Sequence, residues 1–553
     1  MSPDAGSTQR SPLTKRLLNP LPPSPHRTTS QLSTISVSAL AIDDSPLTRD
    51  PSLAKSSTRP SSSSSSAFEP LPSGTASSSL RKGKGKERAE DDVEISGEII
   101  NGEGDAAKEL RELVRRSTNG ESAESRSRST SMKGEVHTLD PPPDPLHCRT
   151  YSPRKYYVLT NAGKPVFCSH DDSSVNNITN LIGVVQSFVE EDDRLRSIVK
   201  GRYQIVILVK APLYLFCVSD WGEPEHVLRV HLDYIYLQIL SVVTLSQITR
   251  LFQRWSNFDL SRLLEGTESF LHNLIKQCQY DFSFLSSTLQ PLRMPPALRD
   301  TAAAALVPPS KFKDLLYVLL VADGRIVTLL RPRKHSIHPS DVHLLLNTLA
   351  SSQTLRSQET WLPICLPKFN PAGFVHAYIS FVLDDVGLVF VSADREAFED
   401  LRAWKETVVE KLEEDKTLTR IQQCIPLHPY SISALGCPGL RHFIYKSRVN
   451  VQMTSPDWES PYHDDDSKAR LMTLYQRLHD AVHARSGQST TLKLIYMKTE
   501  AEACLAWITK PFELYLAVSP HLSKSAVVAA ANHVARWVGN EEGKVFLREA
   551  PVF

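Results

Sequence analysis

Glycine is scarce in this chain, at 22 of 553 residues, and neither G-x-x-x-x-G-K-[ST] nor G-x-G-x-x-G occurs. Loops that cradle phosphate need glycine where the backbone must approach the ligand, so their absence argues against a phosphate-binding loop within the chain. No apolar run reaches 18 residues, and no transmembrane helix is predicted. Met1 to Pro20 contain no apolar stretch of signal-peptide length. Cysteine occurs only singly, at positions 148, 168, 217, 278, 365, 424, 437 and 504, with no C-x-x-C pair. Most of these lie in apolar runs, which predicts buried, reduced thiols in a cytosolic protein. The sequon Asn177-Ile178-Thr179 then carries no glycan. Net charge is nearly absent: 63 Lys and Arg face 62 Asp and Glu. That balance argues against capture of nucleic acid or membrane by whole-protein charge and leaves only a local basic patch. Without G-x-S-x-G, a hydrolase nucleophile has no elbow to sit on.

At about 150 residues per domain, the length suggests three to four domains. Residues 1–150 stand apart from the rest. Ser, Thr, Pro and charged side chains predominate, Ser61 to Ser66 is a pure serine run, and aromatics are nearly missing. Such a segment cannot bury enough apolar surface to offset ordering entropy, so a disordered tail is expected. Ser11-Pro12, Ser24-Pro25 and Ser45-Pro46 are phosphorylation candidates. Arg81 to Lys86 forms a basic cluster followed by Glu90-Asp91-Asp92. A solvated linker and a phosphorylation-controlled regulatory arm both fit this composition.

Beyond the tail one pattern recurs. Lys155–Leu159 and Pro165–Cys168 read as a hairpin through Asn161-Ala162-Gly163-Lys164. Apolar residues from Val175 to Val189 fall at helical spacing, two strands follow over Gly201–Lys210 and Leu213–Ser219, and a long helix starts near Glu225. The second pass has a hairpin over Leu315–Leu330 and a helix capped by Ser340. Strands at Val375–Leu383 and Gly387–Ser392 and a helix over Arg395–Glu414 complete it. The third has strands over Arg441–Met453, a helix over Ala469–His483, three strands between Thr491 and Ser519, and a helix over Ser523–Gly539. One strand signature marks each pass: Leu215-Phe-Cys-Val-Ser219, Leu388-Val-Phe-Val-Ser392 and Tyr515-Leu-Ala-Val-Ser519. The serines are 173 and 127 residues apart, and the 46-residue excess matches a helical insertion between Leu245 and Pro291. The pattern therefore predicts three copies of a two-strand, helix, three-strand, helix unit. This is the longin, or roadblock-like, arrangement: an α/β fold whose antiparallel sheets are flanked by helices. The predicted bounds are 151–308, 309–434 and 435–553.

Chemistry-bearing clusters are few. Arg331-Pro-Arg333-Lys334-His335-Ser-Ile-His338, with His343, is the densest histidine group, but its spacing assigns no zinc set. A solvated basic loop and a phosphoinositide contact through Arg331, Arg333 and Lys334 both fit it. His463-Asp464-Asp465-Asp466 lacks an EF-hand spacing and is expected to be an exposed acidic loop. Val184 lies off the main stripe of the Val175–Val189 helix; this marks either a broad core face or a face offered to a partner. The helix over Val227–Leu245 is apolar nearly all round, so its second face is covered either by the insertion or by another subunit.

Several stretches resemble the SAND family. They are the hairpin Tyr156–Val166, Ile239–Ser246, Phe258–Glu268, Trp361–Phe374 with its paired prolines, Phe443–Lys446, and Leu505–Trp507 with Phe512–Tyr515. The resemblance spans roughly Tyr156 to Phe546, and Val449-Asn-Val-Gln452 departs from it where a smaller loop is expected. It implies three longin domains and an obligate, similarly built Ccz-one-like partner. It further implies that the pair is a guanine-nucleotide exchange factor for a Rab-seven-class GTPase, acting peripherally on late-endosomal and vacuolar membranes. No cofactor and no covalent chemistry are implied. In that family the first longin domains pair and hold the GTPase, which directs attention to Asn161, Lys164, Asn177, Asn180, Val184 and Ser187. A longin scaffold or tethering subunit without exchange activity is the competing reading, and fold analogy alone does not separate the two.

Overall fold

A computed structural model describes residues 150–170, 185, 195–309, 312, 314–485 and 491–548. The expected tail, Cys148, Asn177, Asn180, Val184 and Ser187 lie outside these residues. The described part forms three five-stranded antiparallel sheets, each with the same strand order. In the first, β1 (Lys155–Thr160), β2 (Pro165–Cys168), β3 (Ser197–Lys200), β4 (Tyr203–Lys210) and β5 (Leu213–Ser219) align as β2-β1-β5-β4-β3. The recurring signature is the central strand of its sheet. Both faces of that strand are covered, which is why it reads as an unbroken apolar run. Alternation then divides each sheet between two cores. Tyr156, Val158, Leu215 and Cys217 face the helix α1 (Glu225–Val242), while Tyr157, Leu159, Tyr214 and Phe216 face the other side with Val185.

The insertion follows α1 as α2 (Leu245–Arg254), α3 (Ser261–Leu264), α4 (Glu268–Tyr280) and α5 (Phe282–Ser286). Next comes α6 (Pro296–Ala305). The second sheet comprises β6 (Leu315–Ala322), β7 (Arg325–Leu330), β8 (Thr360–Ile364), β9 (Val375–Leu383) and β10 (Val386–Ser392). Its helices are α7 (Pro339–Ser351), α8 (Gln353–Ser357), α9 (Phe398–Glu414) and α10 (Thr417–Cys424). The third unit holds β11 (Leu440–Ser447), β12 (Gln452–Thr454), α11 (Asp465–His483), β13 (Leu494–Lys498), β14 (Ala503–Ile508), β15 (Phe512–Val518) and α12 (Lys524–Val545).

Four expectations need correction. The first meander has a third strand, β3, which is a half-buried edge with little apolar signal. The second meander likewise has a third strand, the edge strand β8, where the expected pass has only two. The cap of α7 is His338, whose side chain accepts from the Ser340 backbone N–H, so Ser340 sits in the first turn. Asp464 caps α11, and Asp465 and Asp466 occupy its first turn, where carboxylates favour the helix dipole; the acidic run is a helix start, not a loop.

The second face of α1 is covered by the insertion and by α7 of the second unit. The contact is polar and buried. Asn347 donates to Gln238 Oε1 and to the Phe270 carbonyl, both at 2.8 Å, and Ser340 donates to Tyr234 Oη at 3.0 Å. Two stretches resembling the family are stitched together here: Cys365 N donates to the Ser241 carbonyl, and Leu245 N donates to the Pro371 carbonyl. On the insertion's other side, Phe282 packs into the third unit against Tyr475, His479 and Tyr515.

Between α5 and α6 the chain runs extended past two sheet edges. Leu289 forms a parallel bridge with Gln452 at the β12 edge, and Pro291 forms one with Ile326 at the β7 edge. Arg293 N donates to His428 Nδ1 at 2.7 Å, and Met294 N donates to the Lys544 carbonyl. Arg299 on α6 locks the arrangement by donating to the carbonyls of Leu292, Gly543, Lys544 and Phe546. Burial lowers this guanidinium to about 10, so it stays charged at neutral pH. Arg299→Ala removes the donor that these carbonyls share and is expected to destabilise the protein by about 3 kcal/mol, read by denaturant unfolding.

The same segment is pH-sensitive. Burial, with Arg325 and Arg293 adding to it, lowers His428 to about 3. A histidine depressed in the fold is protonated first in the unfolded chain, so its contribution is complete above about pH 6.5 and is lost as pH falls toward 3. His428→Gln keeps an acceptor for Arg293. It is expected to weaken the loss of stability between pH 6.5 and 4 relative to the parent in parallel melts.

Candidate partner surface

The turn joining β1 to β2 is built by its own backbone. Gly163 takes φ 79°, open to glycine without steric cost, and its N–H donates to the Thr160 carbonyl. Thr160 N donates to the Lys164 carbonyl, and Asn161 N donates to the Pro212 carbonyl in the neighbouring β4–β5 turn. Asn161, Ala162 and Pro165 are exposed and Lys164 is half-buried. Lys164 Nζ donates to the Asn257 carbonyl at 3.0 Å, which fixes the hairpin to the loop after α2.

That loop carries a residue the sequence reading passed over. Trp255 is 49% exposed, stacks on Phe258 with ring centroids 6.1 Å apart, and lies under the Arg254 guanidinium. Its signal was a Trp directly after Arg at the end of an amphipathic helix whose one buried residue is Ile248. Hairpin turn and Trp255 loop thus form one surface, to which Asn161 and Lys164 belong. An exposed aromatic flanked by cations is a frequent anchor in protein interfaces.

Arg331, Arg333 and Lys334 lie elsewhere, in the loop after β7 of the second unit. Arg333 and Lys334 are exposed, while Arg331 is half-buried and donates to the His335 carbonyl at 3.3 Å. The nearby histidines are divided among separate tasks. His335 meets the Phe369 ring edge-on, His338 caps α7, and His343 is buried with Nδ1 3.1 Å from Tyr234 Oη. Asp341 shapes the adjoining segment by accepting from Lys368 N and Phe369 N, and burial pushes its carboxyl up to about 6.

One group could hold a cation by type: His479 and His483 on α11 with Glu513 on β15. Its carboxylate already serves Lys446 at 3.2 Å, Arg448 at 3.7 Å and His483 at 3.2 Å. Burial alone would raise Glu513, but the His483 hydrogen bond and the Lys446 charge hold it down at about 2. The arrangement is an ion-pair network whose cationic places are filled by side chains.

The comparisons with known proteins cover all three sheets. Family models of the first, second and third longin domains of FUZ, MON1 and HPS1 match residues 154–274, 313–410 and 439–542. The Vacuolar fusion protein MON1 of Cryptococcus neoformans var. neoformans serotype D (strain JEC21 / ATCC MYA-565) is 67% identical over 488 residues, covering 85% of this chain and 78% of that one. The chain belongs to the MON1/SAND family. Vacuolar fusion protein MON1 homolog A of Gallus gallus is 37% identical over 395 residues, covering 71% of each chain. Protein SAND of Takifugu rubripes is 35% identical over 470 residues, covering 83% of this chain and 87% of that one. For this MON1/SAND member, Lys164→Ala breaks only a solvent-facing bond. It is expected to lower stability by less than about 1 kcal/mol in a thermal melt, so a larger effect on partner binding would report surface contact.

Proposed function

We propose that this chain is one subunit of a heterodimeric guanine-nucleotide exchange factor, paired with a Ccz-one-like longin protein and acting on a late-endosomal, Rab-seven-class GTPase. Membership of a family whose relatives are named vacuolar fusion proteins supports the coarser statement, a role in vacuolar and endosomal trafficking. The observation that carries the finer one is the surface just described. Asn161 and Lys164 lie on a turn that bonds the loop carrying the exposed Trp255, and the first longin domain is fixed to the other two through buried contacts.

An exchange factor needs no covalent chemistry. It accelerates release by binding the nucleotide-free GTPase more tightly than the nucleotide-bound form, and only that differential affinity lowers the barrier. A fixed platform suits this task, because little binding energy goes into ordering the surface. Arg333 and Lys334, with Arg331 behind them, are the proposed contact to phosphoinositide headgroups on endosomal and vacuolar membranes. Recruitment is peripheral in this reading. Among the described residues no single helix is long and apolar enough to cross a membrane.

The test is release of a fluorescent GDP analogue from a late-endosomal Rab, with the chain alone and co-purified with its longin partner. The pair is expected to accelerate release well above the intrinsic rate, and Trp255→Ala in the pair to reduce that acceleration at least tenfold. No acceleration by a well-folded pair contradicts the proposal and leaves a trafficking scaffold.

A further inference from the structure

The first described residues are clasped to two domains at once. Tyr151 N donates to Asp466 Oδ1 at the start of α11, in the third unit. Ser152 Oγ donates to Asp220 Oδ2 at 3.0 Å, and the Ser152 carbonyl accepts from Trp221 Nε1 at 2.6 Å. Trp221 is buried beneath the Arg154 guanidinium, 3.7 Å from its ring, with Tyr151 edge-on at 5.4 Å. Arg154 pairs with Glu223 at 2.7 Å with both side chains buried.

Within this clasp Ser152 and Pro153 are exposed, and the sequence reads Ser152-Pro153-Arg154-Lys155. A serine followed by proline, with basic residues two and three positions on, is the pattern proline-directed kinases read. Ser-Pro recurs among the described residues at Ser455, Ser460 and Ser519, but none has Lys or Arg at those positions. We propose that Ser152 is a phosphorylation site for a proline-directed kinase, and that its phosphate releases Tyr151–Arg154 from the first and third longin domains.

The chemistry is ordinary phosphoryl transfer from ATP. Ser152 Oγ bonds to the γ-phosphorus as the bond to ADP breaks, and the kinase's base takes the hydroxyl proton. The consequence follows from Asp220. Its carboxylate is 4% exposed, Oδ2 accepts from Ser152 and pairs with Arg202 at 3.1 Å, and Oδ1 has no partner among the described residues. Phosphorylation removes the Ser152 donor and attaches a group of close to two negative charges to the oxygen that stands 3.0 Å from this carboxylate. Arg202 cannot neutralise both, because turning to the phosphate would strand Asp220 as a buried, unpaired charge. Separation of the strand start from Asp220 relieves both demands. It also gives up the Tyr151–Asp466 and Ser152–Trp221 bonds, the Arg154 stack on Trp221 and the Arg154–Glu223 pair, and the opening that frees Arg154 lets water reach Glu223. The buried position of Arg154 means that a kinase reads Arg154 and Lys155 only while this short segment is peeled away. The phosphate therefore traps an opening that already occurs at the end of the sheet.

The experiment uses the full chain, folded first and then treated with ATP and a cyclin-dependent kinase, so the modification cannot interfere with folding. Mass spectrometry locates the phosphate, and hydrogen–deuterium exchange follows peptides covering 150–156 and 220–224. The expected result is phosphate on Ser152 with exchange about thirtyfold faster or more in both peptides, while peptides from β10 and β15 are unchanged. Ser152→Ala loses a single hydrogen bond and is expected to take no phosphate there and to speed exchange by no more than about fivefold. Absence of phosphate at Ser152 overturns the proposal. So does phosphate with unchanged or slowed exchange, the latter being the signature of capture by Arg202.

Discussion

Leu289 to Met294 is the constraint on which the rest of the structure depends. Sheet edges expose rows of unpaired N–H and C=O groups, and a three-sheet chain has many of them. Here one extended segment bonds the β12 edge through Leu289 and the β7 edge through Pro291 and Leu292. Met453 N returns a bond to the Leu289 carbonyl, and Gln452 bonds both the N–H and the carbonyl of Leu547. Leu289, Leu292 and Met294 are all buried, so the segment contributes apolar contact as well as hydrogen bonds. The described residues accordingly fall within one compact unit.

The insertion completes what this segment begins. It closes the open face of α1, meets α7 of the second unit through Asn273 and Asn347, and sends Phe282 into the third. Buried amide pairs of this kind specify position more than they add stability, because any misregister leaves a polar group without a partner. The outcome for function is geometric. The first-domain turn and the Trp255 loop are held on a platform whose orientation to the basic loop of the second unit is set by covered contacts rather than by a linker.

Much of the fold was legible in the sequence, because its strongest signals are those of buried central strands. The three five-residue signatures are β5, β10 and the end of β15, apolar because both faces are covered. The 46-residue excess in spacing marked the insertion for the same reason: the sheets repeat and the glue does not. Edge strands were less legible. Ser197–Lys200 is half exposed, and Thr360–Ile364 contains Pro363, a residue that belongs on edges and disguises a strand. The cap of α7 stands two positions before Ser340, because the His338 imidazole accepts the bond that a hydroxyl is expected to accept. The site was least legible. Lys164 and Asn257 are 93 residues apart, and no local pattern announces that they meet. Trp361–Phe374, the stretch most distinctive in sequence, serves to fasten the second unit to the first. The departure at Val449–Gln452 has a structural use: Val451 adopts φ 53° and its carbonyl accepts from Leu289 N.

The account's central claim is that the linking segment welds the second and third longin sheets into a single unit, to which the insertion fastens the first. Hydrogen–deuterium exchange of the full chain measures this at the amides of Leu289, Leu292, Arg293, Met294 and Met453. The account predicts protection comparable to the central strands β5, β10 and β15, with all of these amides lost in the same unfolding step. Rapid exchange of those amides while the central strands remain protected would show the second and third sheets moving independently and would contradict it.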